Sequence, residues 1–249
     1  MKGGDGIQSG EILFLRVAPR RLIRPLKRSG WRGPKRLRAV FAAEGIHGRV
    51  GERKITSFWI GLGRDVRLPG GELLERLRQG AIEEIVDIGR AGALDPSLRR
   101  GDLVLSSDDL TFDAAVPLGV RRRSGLGSLL QEVAACRDAA LKVAPILTHE
   151  RFISDRNTRI ELFERTGCAA VQMEHAWFLQ RLQALLPAES FEQLRVTHLV
   201  LITDAVPLSN SRRATARTRR EALVGYLLPW GGNGIASLRK EVLSRWPAA

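Results

Sequence analysis

The stretch IVDIGRAGALDPSLRRGDLVL, residues 85–105, decides the fold of this chain. It begins with a short apolar run that predicts a buried β-strand, continues into small residues, and ends in a second apolar run after a Gly-Asp pair. We interpret the small residues Gly89, Ala91 and Gly92 as a tight turn. In such a turn the backbone can approach a ligand closely and direct its N–H groups at an anion or a hydroxyl.

Short apolar runs alternate with amphipathic stretches along the rest of the chain, which indicates an α/β protein. We predict a single domain over residues 1–249, with a central mixed, twisted β-sheet flanked by helices. The expected strands are 12–18, 39–43, 55–60, 85–88, 103–105, 143–147, 170–172 and 196–202. The expected helices are 66–78, 158–165, a stretch from 172 through 186, 221–228 and 235–246.

Two carboxylates that follow predicted strands are candidates for chemistry. Glu174 lies in AAVQMEHA, residues 169–176, at the start of a helix, and Asp204 ends the β-like run LVLITD, residues 199–204. An acid at the carboxyl end of a strand lies where α/β folds place their ligands. Each residue taken alone also fits a structural role, Glu174 at a helix dipole and Asp204 in a turn.

A softer signal comes from THERFI, residues 148–153, which places an aromatic side chain in a loop after a strand. Phe152 can stack on a flat heterocyclic base there, or it can be an ordinary core phenylalanine.

Taken in order, these segments resemble the purine nucleoside phosphorylase, uridine phosphorylase and methylthioadenosine nucleosidase superfamily. Residues 85–105 are similar to its Gly-x-Ala-Gly-Gly-Leu…Gly-Asp segment, residues 169–176 to its Ala-x-x-Met-Glu motif, and residues 199–204 to its strand ending in Ile-Ser-Asp. The resemblance covers roughly residues 40–228, and residues 1–60, a basic segment, match poorly. It implies a nucleoside phosphorylase-like fold and cleavage of the N-glycosidic bond of a purine nucleoside.

The resemblance also implies roles for single residues. Asp204 protonates the departing purine, and Glu174 binds the ribose and stabilises the positive charge that develops on it. A general acid of this kind needs a raised pKa or a proton relay. The other implied substrate contacts are Met173 at the ribose, Phe152 and Ile153 at the base, and Gly89, Ala91 and Gly92 facing the nucleophile. No metal or organic cofactor is implied.

One departure from the family leaves the reaction open. Nucleosidases of the family carry a water-activating glutamate shortly after the first strand, but Arg20 and Arg21 stand in that region here. An arginine cannot serve as a general base at neutral pH. Arg20 and Arg90 can instead bind inorganic phosphate as a co-substrate. Three alternatives follow: a phosphorylase, a nucleosidase that positions water by another residue, and a catalytically degenerate protein that binds a nucleoside or nucleotide.

Composition and net charge limit the other functional classes to which this protein can belong. The formal net charge of +13 favours contact with phosphates, but the basic segment lacks interleaved aromatics, so nucleic-acid binding is only a minor alternative. There is no apolar run of membrane-spanning length and no apolar leader segment, so we expect no membrane insertion. Two cysteines make a disulfide framework improbable, which favours the cytoplasm. Assembly into a homo-oligomer is expected from the resemblance alone.

Overall fold

The computed structural model describes residues 11–16, 48–50, 53–61, 63–111, 126–206 and 235–246. Within them, eight strands form one mixed sheet. They are β1 Glu11–Arg16, β2 Gly48–Val50, β3 Arg53–Trp59, β4 Ile82–Ala93, β5 Leu103–Thr111, β6 Leu141–Thr148, β7 Ala170–Gln172 and β8 Arg195–Asp204. The helices of the same ranges are α1 Gly71–Arg78, α2 Leu126–Cys136, α3 Arg156–Thr166, α4 His175–Gln183, α5 Ala188–Gln193 and α6 Ile235–Ser244.

The sheet is partly open and partly closed. Its strand order is β2-β3-β1-β4-β7-β6-β5-β8, and β8 returns to pair with β4. The five strands β4, β7, β6, β5 and β8 therefore form a closed ring, while β1, β3 and β2 extend from β4 as an open sheet. Because β4 belongs to both parts and spans 12 residues, its carboxyl half is the place where the two parts diverge.

Helices cover both faces of β4, which explains why the strand is buried along nearly its whole length instead of alternating between buried and exposed residues. Ile85 packs in a cluster with Leu77 of α1 and Phe178 of α4, on one face of the sheet. Its neighbour Val86 points to the other face and packs with residues of α2 and α6, including Leu130. The interior of the closed ring is lined mainly by small and β-branched side chains: Ala91, Ala93, Ala144, Ala170, Val200 and Ile202.

The predicted fold class is confirmed: the protein is α/β, with a central mixed sheet flanked by helices. Most predicted strands are present, with longer bounds than predicted. In the described ranges no helix is long and apolar enough to cross a bilayer. The predicted strand 39–43 and the predicted helix 221–228 lie outside the described residues.

Three local predictions were wrong. The turn expected at Gly89–Gly92 is the second half of β4, because the ring strands pair with it there. The helix expected from residue 66 begins only at Gly71, after Pro69 and Gly70. The helix expected to run through residue 186 ends at Gln183, and the short helix α5 after Pro187 was not predicted.

Candidate active site

Asp204, the last residue of β8, is a buried carboxylate with an arginine partner. Its side chain is 1% exposed, and its Oδ2 forms an ion pair with Nη2 of Arg159. The Thr203 hydroxyl lies 3.0 Å from the other oxygen, Oδ1. The sequence placed Asp204 in a turn after a strand or in a proton-donating role, but it gave no sign of this guanidinium. A guanidinium stabilises the ionised form of a carboxylate.

Arg159 of α3 is completely buried and is held by main-chain oxygens as well as by Asp204. Its Nε and Nη2 donate to the carbonyl of Ile153 at 3.0 and 2.7 Å. Its Nη1 donates to the carbonyl of Ala93 at 3.0 Å and to that of Ala205 at 3.2 Å. The guanidinium therefore ties β4, β8 and the loop before α3 together. Sequence analysis missed it, since an arginine in a helix is usually solvated.

Gly92 of β4 makes room for this ion pair. A Cβ atom at Gly92 would lie 2.8 Å from Oδ2 of Asp204 and 3.0 Å from Nη2 of Arg159. Real Cβ atoms essentially never come that close to another heavy atom, so only glycine fits without a shift. The groups that approach Gly92 are the protein's own side chains, and the predicted approach of a ligand to Gly92 stays a prediction.

Glu174 precedes the first residue of α4 and lies in a different electrostatic environment. It is 4% exposed, and one carboxylate oxygen, Oε1, has no hydrogen-bond partner in the described part of the chain. Its Oε2 accepts from the backbone N–H of Met173 at 3.2 Å. Burial raises the pKa of Glu174 to about 8, and the neighbouring negative charge of Asp87 contributes in the same direction. No arginine or lysine is among the groups that compensate it.

Two polar side chains that sequence analysis did not single out fix the position of Glu174. The Oε1 atom of Gln172 accepts from the backbone N–H groups of Glu174 at 2.6 Å and His175 at 3.1 Å. The Gln172 amide donates to the hydroxyl of Thr148 at 2.5 Å, and that hydroxyl also accepts from the N–H of Ala176 at 3.1 Å. Together they satisfy the first N–H groups of α4, which otherwise lack partners.

The open side of β4 lies between these two acids. β1 pairs with β4 as far as Asp87 and β7 pairs with it from Gly92, so residues 88–91 pair only with β8 among the described strands. We call this segment the β4 gap. Because β7 runs antiparallel to β4, the chain leaving β7 continues beside the gap towards Glu174. Ligands of α/β sheets bind where neighbouring strands diverge in this way.

The other predicted site residues take the following positions. Gly89, Arg90 and Ala91 form the β4 gap, and the side chain of Arg90 is half-buried. Ile153 is buried and binds Arg159 through its carbonyl, and Met173, next to Glu174, is half-buried. Phe152 is 43% exposed, so it is not a core phenylalanine. Arg20 lies outside the described residues.

A protein-family model described as the Phosphorylase superfamily matches residues 71–181 of the chain. Over these residues the chain is similar to this superfamily, as the sequence motifs predict. The matched residues include all of β4, Arg159 and Glu174, and they end before Asp204. No curated protein sequence matches the chain significantly.

Solved structures of superfamily-like enzymes share the fold across almost the whole chain. A mutant of the Helicobacter pylori MTAN with 5′-methylthioadenosine in its active site has a TM-score of 0.60 at 14% identity, covering 94% of this chain and 98% of that one. The 5′-methylthioadenosine/S-adenosylhomocysteine nucleosidase of Neisseria meningitidis in complex with methylthio-immucillin-A has a TM-score of 0.56 at 14% identity, covering 94% and 99%. A mutant of the futalosine hydrolase of H. pylori gives 0.56 at 14% identity, covering 94% and 98%. At this identity the likeness establishes the fold.

Proposed function

We propose that this protein cleaves the N-glycosidic bond of a purine nucleoside. The observation that carries the proposal is the placement of two buried carboxylates around the β4 gap. Asp204 is the register partner of Gly92 at the end of the gap, and Glu174 follows β7 beside it. The match of residues 71–181 to the superfamily and the nucleosidases among the similar solved structures support the same reaction class.

In the proposed reaction the bond between the anomeric carbon and the purine nitrogen breaks, and its electron pair moves into the purine ring. Asp204 delivers a proton to the purine, which makes it a better leaving group. Because Arg159 stabilises Asp204 as a carboxylate, Asp204 must first take up a proton from the solvent, which regains one when the water or dihydrogen phosphate that attacks the anomeric carbon loses its own proton. Arg159 holds the acid in position throughout, through its bonds to β4 and to the loop before α3.

The departing base leaves positive charge on the ribose, and Glu174 is the group proposed to stabilise it in its ionised form, which predominates above a pH of about 8. Its position is fixed by Thr148 and Gln172, so little reorganisation is needed when the charge develops. Met173 is proposed to pack against the sugar, and the exposed ring of Phe152 to stack on the base.

The nucleophile completes the reaction by forming a new bond between its oxygen and the anomeric carbon. Arg90, half-buried in the β4 gap, supports inorganic phosphate in this role, because a guanidinium binds phosphate in a bidentate manner. With phosphate the products are the purine and ribose 1-phosphate, and with water they are the purine and ribose. Arg20 as a second phosphate ligand and assembly into a homo-oligomer both remain predictions.

The Arg159–Asp204 ion pair also favours a second candidate function. A carboxylate locked to a buried guanidinium is a poor proton donor, so the protein would bind a purine nucleoside or nucleotide without cleaving it. The two candidates share one binding site and differ only in turnover.

A panel assay separates these alternatives. Free-base release is measured from adenosine, inosine, guanosine, methylthioadenosine and uridine, with and without inorganic phosphate, and binding of each nucleoside is measured in parallel. Purine release that requires phosphate identifies a phosphorylase, and release without phosphate identifies a nucleosidase. Binding without release identifies the second candidate. Neither binding nor release of any purine nucleoside would refute the proposal.

A further inference from the structure

Two buried acids and two buried histidines form a group to which the proposed reaction assigns no role. They are Asp87 of β4, Asp109 of β5, His175 at the start of α4 and His198 of β8, and none is more than 3% exposed. We call these four residues the His–Asp cluster. Asp87 and His198 are register partners on adjacent parallel strands, so the sheet itself brings them together.

The cluster anchors the side chain that directly follows Glu174. Nδ1 of His175 lies 3.0 Å from Oδ2 of Asp87. The ring of His175 also stacks on that of His198, with centroids 3.8 Å apart and an angle of 21° between the planes. His198 is held in turn by Asp109, whose Oδ1 lies 2.6 Å from Nδ1 of the histidine. The start of α4, and with it the backbone of Glu174, is therefore fixed against β4, β5 and β8.

Asp87 is the member of the cluster that reaches the candidate active site. Its Oδ1 is buried and has no hydrogen-bond partner among the described residues. A Cβ atom at Gly89 would lie 3.4 Å from this oxygen, so Oδ1 lies against the β4 gap. Burial alone would raise the pKa of Asp87, but His175, His198 and Arg239 of α6 outweigh it and lower the pKa. Asp87 is therefore a charged group in surroundings where little solvent screens it.

The groups that act on Glu174 come from several elements. Burial does most to raise the pKa of Glu174, and the negative charge of Asp87 is the next largest cause. The backbone N–H groups of Met173 and of Gly63, in the loop before α1, act in the opposite direction, as does the charge of His175. Asp87 is thus the acid whose charge disfavours a carboxylate at Glu174.

We propose that Asp87 is a positioning residue for Glu174, which it holds through His175 and whose carboxylate it opposes with its own negative charge. The inference rests on the proposed function, in which Glu174 acts on the ribose in its ionised form. Asp87 then has two effects on the reaction: it fixes the place of Glu174, and it sets the pH above which Glu174 is ionised.

Ionisation of Glu174 can be followed without turnover. Carbon-13 NMR of protein labelled at the glutamate carboxyl carbons gives the titration, and Glu174→Gln assigns the signal. In the wild type, Glu174 should titrate with a pKa of about 8. In Asp87→Asn its titration should fall to a pH lower by about 1, because a neighbouring like charge is removed. Asp87→Ser is neutral and smaller, so it should show the same fall and serves if the asparagine variant does not fold.

Asp109→Asn is the matched control within the same cluster. It neutralises the other carboxylate and weakens the contact with His198, so it should disturb the packing of the cluster to a similar extent. Asp109 is not among the main causes of the pKa of Glu174, so the titration of Glu174 should stay close to that of the wild type. A purely structural role of the cluster would give the two variants the same result.

Turnover supplies a second readout if purine is released. The ratio of turnover at about pH 7 to turnover at about pH 9 should be about fivefold higher in Asp87→Asn than in the wild type. A general loss of activity lowers both rates and leaves this ratio unchanged. The inference is overturned if Glu174 titrates alike in the wild type and the Asp87 variants, if Asp109→Asn shifts it equally, or if wild-type Glu174 titrates near the ordinary value of about 4.3. If the wild type releases no purine, the proposed function fails, and the NMR titration still decides this inference.

Discussion

Asp204 and Glu174 are two buried carboxylates on either side of the same strand, yet their surroundings are opposite. Asp204 is paired with a guanidinium that is itself bound to four main-chain carbonyls. Glu174 is buried, has one oxygen without a hydrogen-bond partner among the described residues, and lies near a second carboxylate, Asp87, so its pKa rises to about 8. The first region is electrostatically compensated, and the second is not.

The two acids owe their surroundings to different parts of the chain. The guanidinium that pairs with Asp204 belongs to Arg159, which lies 45 positions away in sequence, in another element. The position of Glu174 is set locally, by the polar side chains at the ends of β6 and β7. Substitutions around Asp204 should therefore act mainly on stability, and substitutions around Glu174 should act on the geometry of the site.

The largest effect is expected from Arg159→Met. Removing the guanidinium leaves Asp204 without its buried counter-charge and the carbonyls of Ala93 and Ile153 without its hydrogen bonds. The free energy of unfolding should therefore fall by about 3–5 kcal/mol. Urea unfolding monitored by circular dichroism measures this. Arg165→Met, an exposed change in the same helix, should stay within about 0.5 kcal/mol of the wild type. Equal stability of the two variants would contradict a buried ion pair.

A smaller loss is expected from Gly92→Ala. The new methyl group would lie 2.8 Å from Oδ2 of Asp204, so the ion pair or β4 must shift, at a cost of about 2–3 kcal/mol. Gly127→Ala is the matched control, because nothing lies within 4 Å of its added Cβ and α2 should gain up to about 1 kcal/mol. Chemical denaturation of both variants checks the pair. If Gly92→Ala has the same free energy of unfolding as the wild type, the close approach of Asp204 to Gly92 is contradicted.

On the Glu174 side, Thr148→Val should cost about 1–2 kcal/mol, because the buried N–H of Ala176 and the amide of Gln172 lose an acceptor. The start of α4 should loosen with it, so any nucleoside turnover should fall as well. Thr148→Ser keeps the hydroxyl and should retain most of both properties. If the valine variant matches the serine variant in turnover and unfolding, the hydroxyl does not position Glu174.

The smallest effect is expected at Asp155, the N-cap of α3, whose side chain accepts from the N–H of Thr158 at 2.8 Å. Asp155→Ala should cost about 1 kcal/mol at neutral pH. Burial alone would raise the pKa of Asp155, but the hydrogen bonds from Thr158 outweigh it and lower the pKa. The stabilisation is therefore present at neutral pH and is lost as the pH falls through the folded pKa. Asp155→Asn should keep most of the stabilisation by the cap without this pH dependence. If the free energies of unfolding of the wild type and Asp155→Asn change in parallel with pH, the lowered pKa of Asp155 is contradicted.

The sequence was sufficient for the fold class and for the order of most elements, although β2, α2 and α5 were not predicted. Apolar runs and the three motifs locate the strands β1, β3, β6, β7 and β8, because buried strands are apolar whatever they pair with. They could not show that β4 continues through Gly89 and Gly92. Small residues are typical of turns, and only the pairing partners β7 and β8, more than 70 residues later, make this segment a strand.

The candidate site was predictable only in part, for a related reason. Asp204, Glu174, Met173 and the glycines stand in contiguous motifs, so resemblance locates them. Arg159, Asp109 and His198 belong to no quoted segment, since their partners lie on separate elements and meet them only in the folded protein. Gln172 and Thr148 lie inside the quoted segments, but an amide and a hydroxyl give no sign of a capping role until their partners are known.

The measurement that tests the central claim most directly is base release by Asp204→Asn beside Asp138→Asn, an exposed control at a turn position with φ of 51° that asparagine tolerates. Both are assayed with the best purine nucleoside of the panel, after circular dichroism shows that each is folded. We predict that Asp204→Asn loses at least about a hundredfold in turnover while Asp138→Asn matches the wild type. Wild-type turnover by a folded Asp204→Asn would contradict the account, because Asp204 could then not be the proton donor.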